Sequence, residues 1–274
     1  AGGAEVNVVH FNAAASVRER GNHWEQGLNL FGCMLGRQVT PDTISCNIAT
    51  SACGRGSQWR CAVALLAGIA GLRAAVDRVG YNAAVSACEK CSHWQMALSL
   101  FSCMGKLALK PDEFTCSAAI GGCAKVGLWL LALNLLSIMP SIRAIPDVVC
   151  YSSLVSACEK GGAWQLALAL LGVMSIQAVR PNVVSFSAAV SACGQGGWWQ
   201  LALGLLRGMC GRAVRPNDVG YNAAITACER GGRWQPALSL LGSMPAVVRP
   251  PTVVSFSAAV SACDREGRWQ LALA

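Results

Sequence analysis

Apolar positions along the chain fall into two alternating helical stripes. Between Val148 and Asn182, Tyr151, Leu154, Val155 and Cys158 recur at the spacing of one helix face and predict a helix from about Val149 to Lys160. Gly161-Gly162 then interrupts the pattern, because glycine tolerates the left-handed conformation that closes a helix C-terminus. A second stripe, Trp164, Ala167, Leu168, Leu171 and Met174, predicts a second helix packed back on the first.

The pair of stripes repeats. VSACEKGGAWQ, which starts at Val155, returns as VSACEKCSHWQ at Val85, VSACGQGGWWQ at Val190, ITACERGGRWQ at Ile225 and VSACDREGRWQ at Val260. Trp24, Trp59, Trp94, Trp129, Trp164, Trp199, Trp234 and Trp269 are each 35 residues apart, and only Trp198 is off the lattice. Met34, Met104, Met139, Met174, Met209 and Met244 keep the same phase, with Ile69 filling the gap. Such a period marks stacked supersecondary units, here 8–42, 43–77, 78–112, 113–147, 148–182, 183–217, 218–252 and a partial unit 253–274, all in one domain. The equivalents of Ala167, namely Gly27, Ala62, Ala97, Ala132, Ala202, Ala237 and Ala272, are always small, so two helices can approach closely while the tryptophan covers the gap to the next unit. Pro236 falls in the first turn of a second helix, where its missing N–H costs little. Pro41, Pro111, Pro146, Pro181, Pro216 and Pro251 turn the chain toward the next unit, with Val76 as the exception.

Composition agrees with extensive burial. Hydrophobic residues make up 54% of the 274 residues and charged ones 13%, against roughly 25% charged in ordinary soluble proteins. General disorder is thereby excluded. The uncharged run from Val183 to Leu206 is cut by Cys193-Gly194-Gln195-Gly196-Gly197 into pieces of about 10 residues, short of the ~20 a spanning helix needs, so the chain is expected to be soluble, without a membrane partner. The net charge of +8 favours polyanion partners. Of 15 cysteines, seven (Cys53, Cys88, Cys123, Cys158, Cys193, Cys228 and Cys263) lie on the 35-residue lattice beside alanine and are expected to be small buried thiols in a reducing compartment. The chain starts without a Met or a targeting signal and stops inside a unit, so both ends read as fragment ends, beyond which further domains or protein-binding regions would lie.

A 34-residue helical hairpin would suggest tetratricopeptide repeats, which have a different signature. The strict 35-residue length, the Val-x-Tyr/Phe-Asn/Ser start, the Ala-Leu-x-Leu-Leu/Phe-x-x-Met second helix and the Pro-Asp/Asn end instead resemble pentatricopeptide repeats, from Val8 to Ala274. The resemblance implies an all-α fold, a right-handed α-solenoid of helix-turn-helix units. It also implies binding of single-stranded RNA at one base per repeat, in the RNA processing, stabilisation, editing or translation of a mitochondrion or chloroplast.

In that family the fifth residue of each repeat and the last residue before the next select the base. Here the fifth residues are Asn12, Asn47, Asn82, Ser117, Ser152, Ser187, Asn222 and Ser257, and the last are Asp42, Asp77, Asp112, Asp147, Asn182, Asn217 and Thr252. Uracil and guanine present an imino N–H that suits a carboxylate, whereas adenine and cytosine present a bare ring nitrogen that suits an amide N–H. Asn reaches across to a small pyrimidine and Ser leaves room for a purine. The pairs therefore read 5′-UUUGAA-3′ and then a pyrimidine. The same residue types also cap helices and make turns, and at any single pair that explanation does as well.

The second residues, Val9, Ile44, Val79, Phe114, Val149, Val184, Val219 and Val254, resemble the family's base-sandwiching positions; ordinary core packing is the competing account. The thirteenth, Arg20, Arg55, Lys90, Lys125, Lys160, Arg230 and Arg265, with Gln195 as exception, would form a stripe facing phosphates, or interact with helix C-termini.

No catalytic constellation, metal site or cofactor motif stands out. Cys88-Glu89-Lys90-Cys91 before His93 has metal-ligand spacing, but it is one pair without a partner pair and Cys88 belongs to the lattice. Gly121-Gly122 replaces bulkier helix residues and is expected to loosen its repeat. The sequence reading is thus a non-catalytic, monomeric RNA-binding solenoid. A protein-binding scaffold, or the RNA-binding part of a larger RNA-processing enzyme, are the alternatives.

Overall fold

The computed structural model describes residues 7–20, 23–69, 77–247 and 250–267, with the side chains at positions 19, 20, 69 and 245–247 outside the description. The described residues form fifteen α-helices and no strand: α1 (Val8–Arg20), α2 (Trp24–Gly36), α3 (Thr43–Arg55), α4 (Trp59–Ile69), α5 (Arg78–Lys90), α6 (Trp94–Lys106), α7 (Glu113–Val126), α8 (Trp129–Ile138), α9 (Val148–Lys160), α10 (Trp164–Ile176), α11 (Val183–Gln195), α12 (Trp199–Gly211), α13 (Asp218–Arg230), α14 (Trp234–Val247) and α15 (Val253–Arg265). A short 3-10 turn, Met139–Ile142, follows α8. Every odd-numbered helix opens a repeat, and the lattice tryptophan starts each even-numbered one. No helix among the described residues is long and apolar enough to cross a membrane.

Two compact units make up the chain, Ala1–Gly122 with Ser137–Ile145, and Cys123–Leu136 with Pro146–Ala274. In the first, α3 packs on α1 and α5; in the second, α11 packs on α9 and α13, and α13 on α15. Consecutive first helices thus touch directly within α1–α5 and within α9–α15, and there each second helix packs on its own first helix and on the next one. Glycines permit that proximity: a Cβ on Gly54 would lie 2.9 Å from Ala83 O, and one on Gly194 3.1 Å from Ala223 O.

Tyr151, Leu154, Val155 and Cys158 are all buried, as the first stripe requires, and so are Ala167, Leu171 and Met174 of the second, joined by Leu170. The lattice methionines and all seven lattice cysteines are buried, and every described cysteine is a free thiol. Pro236 lies in the first turn of α14. Trp269, Ala272 and Val76 lie outside the described residues, as does the Ile69 side chain.

One glycine has a different task from the one its sequence suggests. Gly162, with φ +72°, does take the left-handed conformation, as do Gly127, Gly197, Gly232 and Gly267. Gly161 has an ordinary φ of −85°. It is needed for space, since a Cβ there would lie 2.4 Å from Trp129 Cδ1. Gly56 lies under Trp24 and Gly231 under Trp199 in the same way, so the lattice tryptophan of one repeat rests on a bare backbone in the next. Where Cys91 replaces this glycine, Trp59 packs instead against the His93 ring, 4.2 Å between centroids. Helix α7 runs unbroken through Gly121-Gly122, and the space beside Gly121 is taken by Glu89.

Candidate nucleic-acid interface

The last residue of each repeat is the N-cap of the next first helix. Asp42 Oδ1 accepts from Ser45 N at 2.7 Å, Asp112 Oδ1 from Thr115 N at 2.9 Å, and Asp147 Oδ1 from Cys150 N at 2.9 Å. Asn182 Oδ1 accepts from Ser185 N at 2.9 Å, Asn217 Oδ1 from Gly220 N at 3.0 Å, and Thr252 Oγ1 from Ser255 N at 3.4 Å. Asp77 caps α5 through Val79 N at 2.8 Å. The cap uses a single oxygen of each side chain. It leaves Oδ2 of each aspartate and Nδ2 of each asparagine for another partner.

The fifth residue meets that second atom. Asn12 Nδ2 donates to Asp42 Oδ1 at 3.1 Å and Oδ2 at 3.3 Å, and Asn82 Nδ2 to the two oxygens of Asp112 at 3.1 and 3.0 Å. An amide N–H₂ has two hydrogens, so one remains beside the carboxylate. The pair thus sets an amide donor beside a carboxylate acceptor. Burial alone would raise the Asp42 carboxyl, but hydrogen bonds from the Ser45 backbone and hydroxyl and from Asn12 outweigh it and hold the pKa below its ordinary value. Asp112 is lowered against the same burial penalty by Thr115, Asn82 and the Arg78 guanidinium, whose Nε is 3.2 Å from Oδ2.

Ser152 and Ser187 are only 5% and 4% exposed, and Ser152 Oγ donates to Val148 O at 2.6 Å. Ser187 Oγ donates to Asn217 Oδ1 at 2.9 Å. These hydroxyls are recessed and committed to protein acceptors. Ser117 on α7 is half-buried, and it belongs to the first unit while Asp147 belongs to the second. Ser257 is exposed. Asn47 makes no hydrogen bond to Asp77 among the described residues.

All eight second-position residues are exposed, from 51% at Val149 to 69% at Val9, with Phe114 at 56%. Core packing does not account for them. In the first unit an open groove of about 750 Å³ is lined by Val79 and Phe114, by Asn82, and by Arg55 and Lys90. Two apolar side chains, one amide and two cations thus line the same space.

The thirteenth residues also fasten the repeats. Lys90 Nζ donates to Gly54 O at 2.9 Å, Lys160 Nζ to Lys125 O at 3.2 Å, and Arg230 Nη1 to Gln195 O at 3.0 Å. Arg265 reaches Glu229, N to carboxylate 3.6 Å. Each partner lies at the C-terminal end of the preceding first helix, where the dipole favours a cation. The Arg20 side chain is outside the described residues. In the Cys88, Cys91 and His93 cluster, Cys88 is buried, Cys91 Sγ bonds Ser57 O at 3.0 Å, and His93 faces Trp59. No group of three or more metal-ligating side chains occurs among the described residues.

Sequence reasoning missed the third residue of the repeat. Ser45, Thr115, Ser185 and Ser255 are buried polar residues whose hydroxyls touch the fifth residue of the preceding repeat. The signal was a hydroxyl recurring with the period inside an otherwise apolar helix start.

Comparison with known proteins decides the family. The PPR repeat family matches residues 76–125, the pentatricopeptide repeat domain 143–196 and 204–265, and the PPR repeat 114–143 and 184–214. The chain belongs to the pentatricopeptide repeat family. Its fold is similar to that of the pentatricopeptide repeat protein PPR10 in complex with an 18-nt psaJ RNA element, with a TM-score of 0.71 and 22% identity over 96% of this chain and 37% of that one. It is also similar to PPR10 from maize, TM-score 0.67, 23% identity, 93% and 36% coverage. The PPR domain of Arabidopsis thaliana protein-only RNase P 1 in complex with tRNA gives a TM-score of 0.56 at 14% identity, covering 68% of this chain and 95% of that domain. The chain spans just over a third of the length of the PPR10 chains it resembles. No curated protein matches it by sequence.

Proposed function

We propose that this chain of pentatricopeptide repeats binds single-stranded RNA, one base per repeat, with a core target 5′-UUUGAA-3′ followed by a pyrimidine. The groove that gathers Val79, Phe114, Asn82, Arg55 and Lys90 carries the reading. Apolar side chains at its walls take both faces of a base out of water, the amide beside Asp112 tests its edge, and the cations meet the phosphate. The structures of a pentatricopeptide repeat protein with an RNA element and of a related domain with tRNA support the assignment. The binding is non-catalytic, and its setting is RNA metabolism in a mitochondrion or chloroplast.

The test is fluorescence anisotropy of the 274-residue chain with labelled UUUGAA-containing and scrambled oligonucleotides at fixed salt. Tighter binding to UUUGAA is expected. Equal affinity for both sequences removes the base assignments, and no binding to either removes the RNA reading.

A further inference from the structure

Asn12 is held by two contacts. Its Nδ2 donates to Asp42, and its Oδ1 lies 2.7 Å from Ser45 Oγ, the third residue of the next repeat. That hydroxyl has one proton within reach of both Asn12 Oδ1 and Asp42 Oδ1. Asp42 Oδ1 already receives the Ser45 N–H, whereas Asn12 Oδ1 has no other donor among the described residues, so the proton serves Asn12. The reverse amide orientation would face Oδ1 toward a carboxylate. Thr115 holds Asn82 in the same way, and Ser255 Oγ lies 2.6 Å from Asn222 Oδ1.

The repeat containing Asn47 breaks the pattern. Its following third residue is Gly80, which has no side chain to offer, and Asn47 Oδ1 is buried without a hydrogen-bond partner. An orphaned buried carbonyl in a native protein calls for an explanation. Here its cause is visible: the hydroxyl that satisfies Asn12 and Asn82 is missing.

We propose that the third residue of each repeat is a specificity-determining, positioning residue that acts through the fifth residue of the repeat before it. Its hydroxyl locks the asparagine amide so that a spare N–H, and never Oδ1, faces the base. A locked N–H pairs with O4 of uracil. An unlocked amide can turn Oδ1 outward and accept from the N4–H₂ of cytosine, so uracil and cytosine become harder to tell apart. The repeat read by Asn47 and Asp77 therefore discriminates its pyrimidine least, and Gly80 is the reason.

The proposal rests on the RNA reading, and its test separates the two. Binding of the full chain is measured to UUUGAA and to versions with cytosine at the first, second or third base. The uracil preference should be clear at the first and third bases and weakest at the second. Gly80→Ser should raise it at the second base by about tenfold, the scale of one well-made edge contact, while Gly80→Ala should not. Ser45→Ala should lower the preference at the first base alone, and Ser45→Thr should restore it. A merely structural role would shift all affinities together and leave these ratios alone, and that result overturns the proposal.

An RNA-free arm compares urea melts of Gly80→Ser and Gly80→Ala with Asn47 present and with Asn47→Ala. The serine should gain over alanine only when Asn47 is present; an equal gain in both backgrounds overturns the lock. No binding to any of the oligonucleotides overturns the RNA reading and the selectivity role with it. Binding with unchanged ratios overturns the selectivity role alone.

Discussion

The side-chain amide of Asn82 donates to both carboxylate oxygens of Asp112, at 3.1 and 3.0 Å, although thirty positions separate the two residues. The bond joins the fifth residue of one repeat to the N-cap of the next, so the helix cap and the edge proposed to read a base are built from the same atoms. Replacing Asp112 by asparagine keeps a capping oxygen but turns the second oxygen, which Asn82 and Arg78 meet, into an N–H₂ donor. Asp112→Asn should therefore lower the preference for uracil over cytosine at the third base, by about tenfold in relative affinity, with little change in helix content. Anisotropy with the two oligonucleotides and circular dichroism check the two halves.

Asp42 and Asp112 set the acid limit of the fold. Both have folded-state pKa values below the ordinary 3.8. A depressed carboxyl contributes stability that is present above its unfolded value and lost as pH falls through the folded one. Stability is expected to hold from neutral pH to about 4 and to decline below it, as the unfolded carboxylates take up protons first. Chemical denaturation at stepped pH should show the decline, and it should be shallower in Asp112→Asn.

The tryptophan seats at Gly56, Gly161 and Gly231 leave no room for a Cβ. A Cβ on Gly231 would lie 2.4 Å from Trp199 Cδ1. Gly231→Ala should destabilise the chain by about 1–3 kcal/mol, the usual cost of overpacking, despite alanine's better helix propensity. Thermal melting measures it, and Trp199→Leu in the same background should recover part of the loss.

The cysteines should divide by reactivity. Burial pushes Cys53 up to about 12 and Cys88, Cys123, Cys158, Cys193 and Cys228 to about 11, so at neutral pH they are thiols rather than reactive thiolates. Cys33, Cys61 and Cys210 are exposed. Brief iodoacetamide treatment of the native protein should modify these three first, and the lattice cysteines only after denaturation. Peptide mass spectrometry gives the order.

The 35-residue recurrence of Trp, Cys and Met was enough to place the helices, since stripe spacing and register are local properties of a chain. It placed α9 one residue from its observed start and gave the buried faces correctly. The candidate site was half legible. Its residue positions could be counted along the period, but whether Val9 or Val149 was core or surface could not, because an apolar residue reads alike in both places. Exposure above one half in all eight settles it.

Sequence alone determined the repeat, its two helices, the small residues that let them approach and the residue types at the selecting positions. Each follows from side-chain volume and periodicity within a few turns. Only the tertiary structure decided what those residues do to one another across thirty or more positions. It assigned Gly161 to make space rather than a turn, committed the Ser152 hydroxyl to Val148 O, and turned Lys90, Lys160 and Arg230 onto neighbouring carbonyls. It also left Asn47 Oδ1 without a donor. Hydrogen bonds are directional and close-packed contacts have short range, so their partners exist only once consecutive repeats have stacked.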